Sequence, residues 1–64
     1  MFGTVWNYDE VTQDGYILAI DKQLYRFSKI DYDSYKEDPV AGVTVGFKIE
    51  GKLAKEIIVI NFKA

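Results

Sequence analysis

The sequence predicts an all-β fold, a small barrel of five strands that is closed or nearly closed. Five segments are rich in β-branched and aromatic residues, which favour strands, and no segment of useful length has the period of a helix. Two of the connections are short polar turns typical of hairpins. A chain of 64 residues is also too short for two large sheets. Closing one sheet is therefore the economical way to bury one face and remove the sheet edges.

The first strand is predicted at residues 2–8 and is followed by a polar loop that ends in the turn dipeptide Asp14-Gly15. We expect Gly15 to use its freedom to adopt a positive φ there. Residues 14–30 then form a hairpin around the polar connection at residues 21–23, with the second and third strands as its arms. The hairpin is the most informative part of the chain, because its large side chains fall on both faces.

Alternation along the two arms divides these side chains between the faces. A domain this small has one interior, so part of the apolar surface must face outward, and an outward aromatic face indicates a partner. On the first arm Ile17 and Ala19 oppose Tyr16, Leu18 and Ile20, and on the second arm Tyr25 and Phe27 oppose Leu24 and Arg26.

The second half of the chain supplies two more strands. Residues 31–39 are charged, contain few aliphatic residues and end at the only proline, so they predict a loop. Hydrophobic and polar residues alternate strictly over 43–50, which predicts a fourth strand with one buried side. After a tight turn at residues 50–52, the fifth strand is predicted at 53–62. Its apolar run at 57–60 indicates a segment covered on both faces.

Composition narrows the class of protein. The chain is predicted to be one domain over residues 1–64, without a cofactor or a large catalytic cleft. It has no Cys and no His, which removes thiolate nucleophiles, imidazole bases and the usual zinc ligands. Without a signal-like or membrane-spanning run, we expect a soluble cytoplasmic protein with no membrane partner. A formal charge of −2 argues against a strongly electrostatic polyanion binder. The same charge is compatible with a weaker nucleic-acid binder that acts mainly by base stacking.

Short motifs along the chain follow a characteristic order. Gly-Thr-Val stands at residues 3–5, Asp-Gly-Tyr-Ile-Leu at 14–18 and Leu-Tyr-Arg-Phe-Ser-Lys-Ile at 24–30. Ser-Tyr-Lys follows at 34–36 and Gly-Val-Thr-Val-Gly-Phe-Lys-Ile-Glu at 42–50. In this order they resemble the bacterial cold-shock domain, a five-stranded OB-type barrel that binds single-stranded RNA and DNA. Its two ribonucleoprotein motifs read Lys-Gly-Phe-Gly-Phe and Phe-Val-His-Phe-Ser-x-Ile. The resemblance covers nearly the whole chain.

The departures from the family pattern fall where that family binds nucleic acid. Tyr16 and Leu18 stand at the two Phe positions of the first motif, and Asp14 replaces its basic residue. In the second motif Leu24 replaces a Phe and Arg26 replaces the His.

Strand one departs in a similar way. The position of the family's Trp falls on Asn7, with Trp6 one residue earlier. A slip of one residue sends a side chain to the opposite face. Either a β-bulge returns Trp6 to the binding face, or that face has lost its Trp.

The resemblance implies a surface that binds unpaired bases. Aromatic rings there could stack on bases, although aromatics are common in strands for packing reasons alone. Arg26 could stack on a base and bind phosphate, or it could only form a surface ion pair with Asp14 or Asp21. The candidate nucleic-acid-binding residues are Trp6, Tyr8, Tyr16, Leu18, Leu24, Arg26, Phe27, Tyr35 and Lys36.

Two functions remain open at this point. The first is a non-enzymatic domain that binds single-stranded RNA or DNA by stacking and acts as an RNA chaperone or regulator, as the resemblance implies. The second is a barrel of the same type whose apolar face binds a protein partner or a second copy and regulates transcription or translation. A metal site in the acidic loop at residues 31–38 is not expected, because the spacing lacks the glycine and closing Glu of a calcium loop.

Overall fold

The computed structural model describes residues 1–32 and 39–60. Within them the chain forms five strands, which confirms the all-β prediction, and a single 3₁₀ turn, Lys29–Asp31, after the third strand. No helix in these two ranges is long and apolar enough to cross a bilayer. The strands are β1 (Phe2–Asp9), β2 (Asp14–Ala19), β3 (Leu24–Ser28), β4 (Thr44–Glu50) and β5 (Leu53–Val59).

The strands close into a barrel in the order β1-β2-β3-β5-β4. All neighbouring pairs are antiparallel except β3 and β5, which run parallel where Arg26 is opposite Leu53. The backbone N–H of Arg26 donates to the carbonyl of Lys52 at this junction, at 3.2 Å. This closure gives a five-stranded barrel of the OB-fold type and leaves no long unpaired edge between the described strands.

Alternation in the hairpin is as predicted. Ile17 and Ala19 on β2 are buried, as are Tyr25 and Phe27 on β3. The hairpin turn is fixed by Asp21, whose carboxylate accepts from the backbone N–H of Gln23 at 3.0 Å and from the Tyr25 hydroxyl at 2.8 Å. The remaining core residues come from the other strands and from the segment after β3: Val5, Tyr32, Val45, Phe47, Ala54 and Ile57.

One expectation for the second half of the chain is wrong. Residues 57–60 are not covered on both faces: Ile57 is buried, whereas Ile58 is 54% exposed. The register between β4 and β5 shifts, and Glu56 has a φ of 51° beside this irregularity. The extra residue turns Ile58 outward. The fourth strand has one buried side as predicted, through Val45 and Phe47, and Ile49 on that side is 39% exposed near the end of the strand.

Gly15 has a different role from the one expected. The positive φ in the loop before β2 belongs to Gln13, at 59°, and Gly15 lies within β2. A Cβ added to Gly15 would lie 2.1 Å from the carbonyl oxygen of Asn7. Glycine is needed there because the backbone of β1 passes too closely for any side chain, and this close approach tightens the β1–β2 pair at its irregular point.

Candidate nucleic-acid interface

The outward side chains of β1–β3 form one continuous surface. Tyr16 lies opposite both Asn7 on β1 and Arg26 on β3, and Leu18 lies opposite Leu24. Directly paired residues point to the same side of a sheet, so the surface extends across the three strands and onto β5. We call it the outer platform: Trp6, Asn7, Tyr16, Leu18, Leu24, Arg26 and Leu53.

Trp6 lies on this surface, at a β-bulge in β1. Val5 lies opposite Ile17 and Asn7 opposite Tyr16, so Trp6 is the extra residue between them. Val5 points inward at 1% exposure, whereas Trp6 is 58% exposed. The amide side chain of Asn7 accepts from the backbone N–H of Tyr16 at 3.2 Å. Of the two alternatives that the sequence left open, the chain keeps Trp6 on the outer face, and the bulge adds Asn7 to the same face.

The rings of Trp6 and Tyr16 line a common open groove. Tyr16 is 42% exposed, and Pro39, Val40 and Ala41 also line the groove. Its charged residues within the described part of the chain are all acidic: Asp9, Glu10 and Asp14. The groove can therefore accept a flat, uncharged ring between aromatic and apolar walls, and it disfavours a phosphate inside it.

Arg26 is held by Asp14. The guanidinium Nη2 of Arg26 donates to Oδ2 of Asp14, and the Thr12 hydroxyl donates to Oδ1 at 2.6 Å. The Thr12 hydrogen bond, followed by the Arg26 guanidinium, lowers the pKa of Asp14, and Asp14 in turn raises the pKa of Arg26. Both groups are thus fully charged at neutral pH. Of the two acidic neighbours considered from the sequence, Asp14 is the one that pairs with Arg26.

Phe27 does not belong to the platform, which corrects the prediction made for it. Its ring is 2% exposed, and its centroid lies 6.2 Å from those of Tyr8 and Tyr32. A ring enclosed by two others has no free face for a base. Tyr8 is half-buried, stacks on Phe27 at an interplanar angle of 19° and also lines the groove. The bulge causes this difference: Trp6 is outward by alternation from Val5, and the extra residue places Asn7 on the outer side as well and returns Tyr8, opposite the buried Gly15, to the inner face.

The remaining predicted residues divide into two groups. Tyr16, Leu18, Leu24 and Arg26 come together on the outer platform with Trp6, while Tyr35 and Lys36 lie outside the described residues. Sequence reasoning missed Leu53, which is 41% exposed and lies beside Arg26 through the parallel β3–β5 closure. It also missed Asn7 as the acceptor that completes the bulge. The one local sign of this role was the polar Asn7 within a strand, directly after Trp6.

The charged groups of the described ranges include no cluster of three or more Asp or Glu side chains placed to hold a metal ion. No family model, curated protein or solved structure matches this chain. The relationship to the cold-shock domain therefore rests on motif order alone and stays a prediction. What the surface can do must be argued from its own side chains.

Proposed function

We propose that this protein is a non-enzymatic domain that binds single-stranded RNA or DNA on the outer platform. The observation that carries the proposal is the pair of exposed rings, Trp6 and Tyr16, which line one groove with an arginine opposite Tyr16 on the next strand. Each base stacked on such a ring contributes roughly 1–3 kcal/mol, whatever its sequence. Holding unpaired bases in this way would let the protein act as an RNA chaperone or regulator.

The leucines of the platform support the same use. Leu24 is 49% exposed and lies two residues before Arg26 on β3. Leu53 is 41% exposed and lies opposite Arg26 where β3 meets β5. Their side chains can make apolar contacts with a base, although they lack the π-faces that make stacking strong. Stacking rather than charge would thus dominate binding, in keeping with the net charge of −2.

The test is a titration with short pyrimidine-rich DNA and RNA at low salt. The chain has a single Trp, so quenching of Trp6 fluorescence reports contact with the platform directly. We expect Tyr16→Ala to weaken binding by roughly 5- to 150-fold, the equivalent of one lost stacking contact. The slope of log K against log salt should be shallow, about −0.7 for each phosphate neutralised.

Phe2→Ala is the matched control. Phe2 is also an aromatic residue of β1 and is 56% exposed, but its ring lies over Gly46 on β4, away from the groove. It should leave the affinity unchanged. Absence of binding by the wild-type protein up to high micromolar concentration would refute the proposal. An equal loss in the Phe2 and Tyr16 variants would show that binding is not confined to the platform.

A second candidate function is supported by the same leucines. Leu18, Leu24 and Leu53 give the platform an apolar character suited to a protein partner or to a second copy of the chain. Sedimentation tests self-association, and a comparison of proteins retained by the wild type and by Leu24→Glu tests a foreign partner. A protein that remains monomeric and retains the same proteins in both forms would contradict this candidate.

A further inference from the structure

The ion pair between Arg26 and Asp14 joins two strands across the platform. Arg26 lies opposite Tyr16, and Asp14 lies opposite Ser28 at the start of β2. The pair thus runs diagonally between β2 and β3 beside the exposed ring of Tyr16. The Asp14 side chain is 24% exposed and that of Arg26 is 59% exposed. The carboxylate is the more enclosed partner, and the guanidinium is the one that faces solvent.

Asp14 is anchored without help from Arg26. The Thr12 hydroxyl bonds to Oδ1 at 2.6 Å, which leaves Oδ2 directed at the guanidinium. Asp14 also lines both the groove shared by Trp6 and Tyr16 and a second cleft between Arg26 and Leu53. Arg26 lines the second cleft, together with Asp31 and Lys55, so a phosphate that reaches the guanidinium there also meets the Asp14 carboxylate. To bind Arg26 it must displace Asp14 or share the guanidinium with it.

We propose that Asp14 is an affinity-limiting residue: it holds Arg26 away from phosphate and so weakens binding of single-stranded nucleic acid to the platform. The inference rests on the proposed function. Its consequence is that the protein binds bases more strongly than backbone. Strands would be held loosely and released easily, and double-stranded regions, which expose phosphates but few base faces, would be disfavoured.

The test compares the wild type with Asp14→Asn, which keeps an oxygen acceptor for Thr12 and removes the charge. Affinity for a fluorescently labelled oligothymidylate at low salt should rise between about twofold and tenfold, and the salt slope should steepen by about 0.7 as one phosphate contact is gained. Asp14→Ala is a second variant. Trp6 emission and thermal unfolding check that both variants are folded.

A double-mutant cycle with Arg26→Gln separates a direct hold on Arg26 from general repulsion. If Asp14 acts through Arg26, Asp14→Asn should raise the affinity much less in the Arg26→Gln background. An equal rise in both backgrounds would overturn the inference. The matched control is Glu56→Gln, which removes one charge from the exposed pair with Lys48, 3.5 Å away on β4, and should change the affinity less than about 1.5-fold.

These measurements separate the role of Asp14 from the proposed function. If the wild type and Asp14→Asn bind equally well, the inference is overturned and the proposed function stands. If neither binds, both are overturned. Binding by Asp14→Asn with none by the wild type would overturn the proposed function of the wild-type protein and support only the hold of Asp14 on Arg26.

Discussion

The inner and outer surfaces of the β1–β3 sheet carry similar residues in opposite roles. The inner surface packs Tyr8, Phe27 and Tyr32 ring against ring, with centroids 6.2 Å apart. The outer surface leaves Trp6 and Tyr16 exposed beside an ion pair. Aromatic content alone therefore does not mark a binding surface. What distinguishes the two sides is the alternation of side chains along each strand, and the bulge in β1 shifts that alternation by one residue.

The largest expected effect concerns a residue of the inner surface. Phe27→Ala should lower the free energy of unfolding by about 3–5 kcal/mol, because it opens a cavity between two other rings. That loss is comparable to the whole stability of a domain this small, at roughly 0.05–0.15 kcal/mol per residue. Phe27→Leu should cost less and remain measurable by urea denaturation.

Leu24→Ala, on the outer surface of the same strand, is the control for Phe27 and should cost less than about 1 kcal/mol. Similar losses at the two positions would contradict the assignment of their faces.

A second prediction concerns the point where β1 and β2 approach most closely. Gly15→Ala should destabilise the fold by about 1–3 kcal/mol, because its Cβ would meet the backbone of Asn7, which cannot withdraw cheaply. Gly46→Ala is the control: its Cβ would meet Phe2 at 3.4 Å, and that exposed ring can move aside. Thermal unfolding of the two variants checks the difference. A tolerated Gly15→Ala would mean that the bulge can relax.

The smallest effect lies on the outer surface and depends on pH. The pKa of Asp14 is lower in the folded state, so its stabilising contribution is present above the unfolded value of about 3.9 and is lost as pH falls through the folded-state value. The difference in unfolding free energy between wild type and Asp14→Asn should therefore be constant near neutral pH and shrink in acid. A difference that grows in acid would contradict the ion pair.

Much of this arrangement could be predicted from residues close together in the chain. Alternation in the hairpin correctly separated Ile17 and Phe27 from Tyr16 and Arg26, because side chains of a strand point to opposite faces whatever surrounds them. The family resemblance placed Phe27 on the binding surface, whereas the alternation placed it inside. Phe27 is buried, so the alternation gave the correct prediction. The outer residues Leu18 and Leu24 were found in the same way.

Local residue patterns were enough to predict the five strands, their hairpins and the two-sided pattern of β2 and β3, since each depends on local backbone geometry and on the period of two. Three other features come from the tertiary structure: the exchange of faces by Asn7 and Tyr8 after the bulge, the exposure of Ile58 and the contact of Leu53 with Arg26 across the barrel closure. Bulges and barrel closure depend on how distant strands fit together. No local pattern encodes that fit, because it is set by the packing of the whole core.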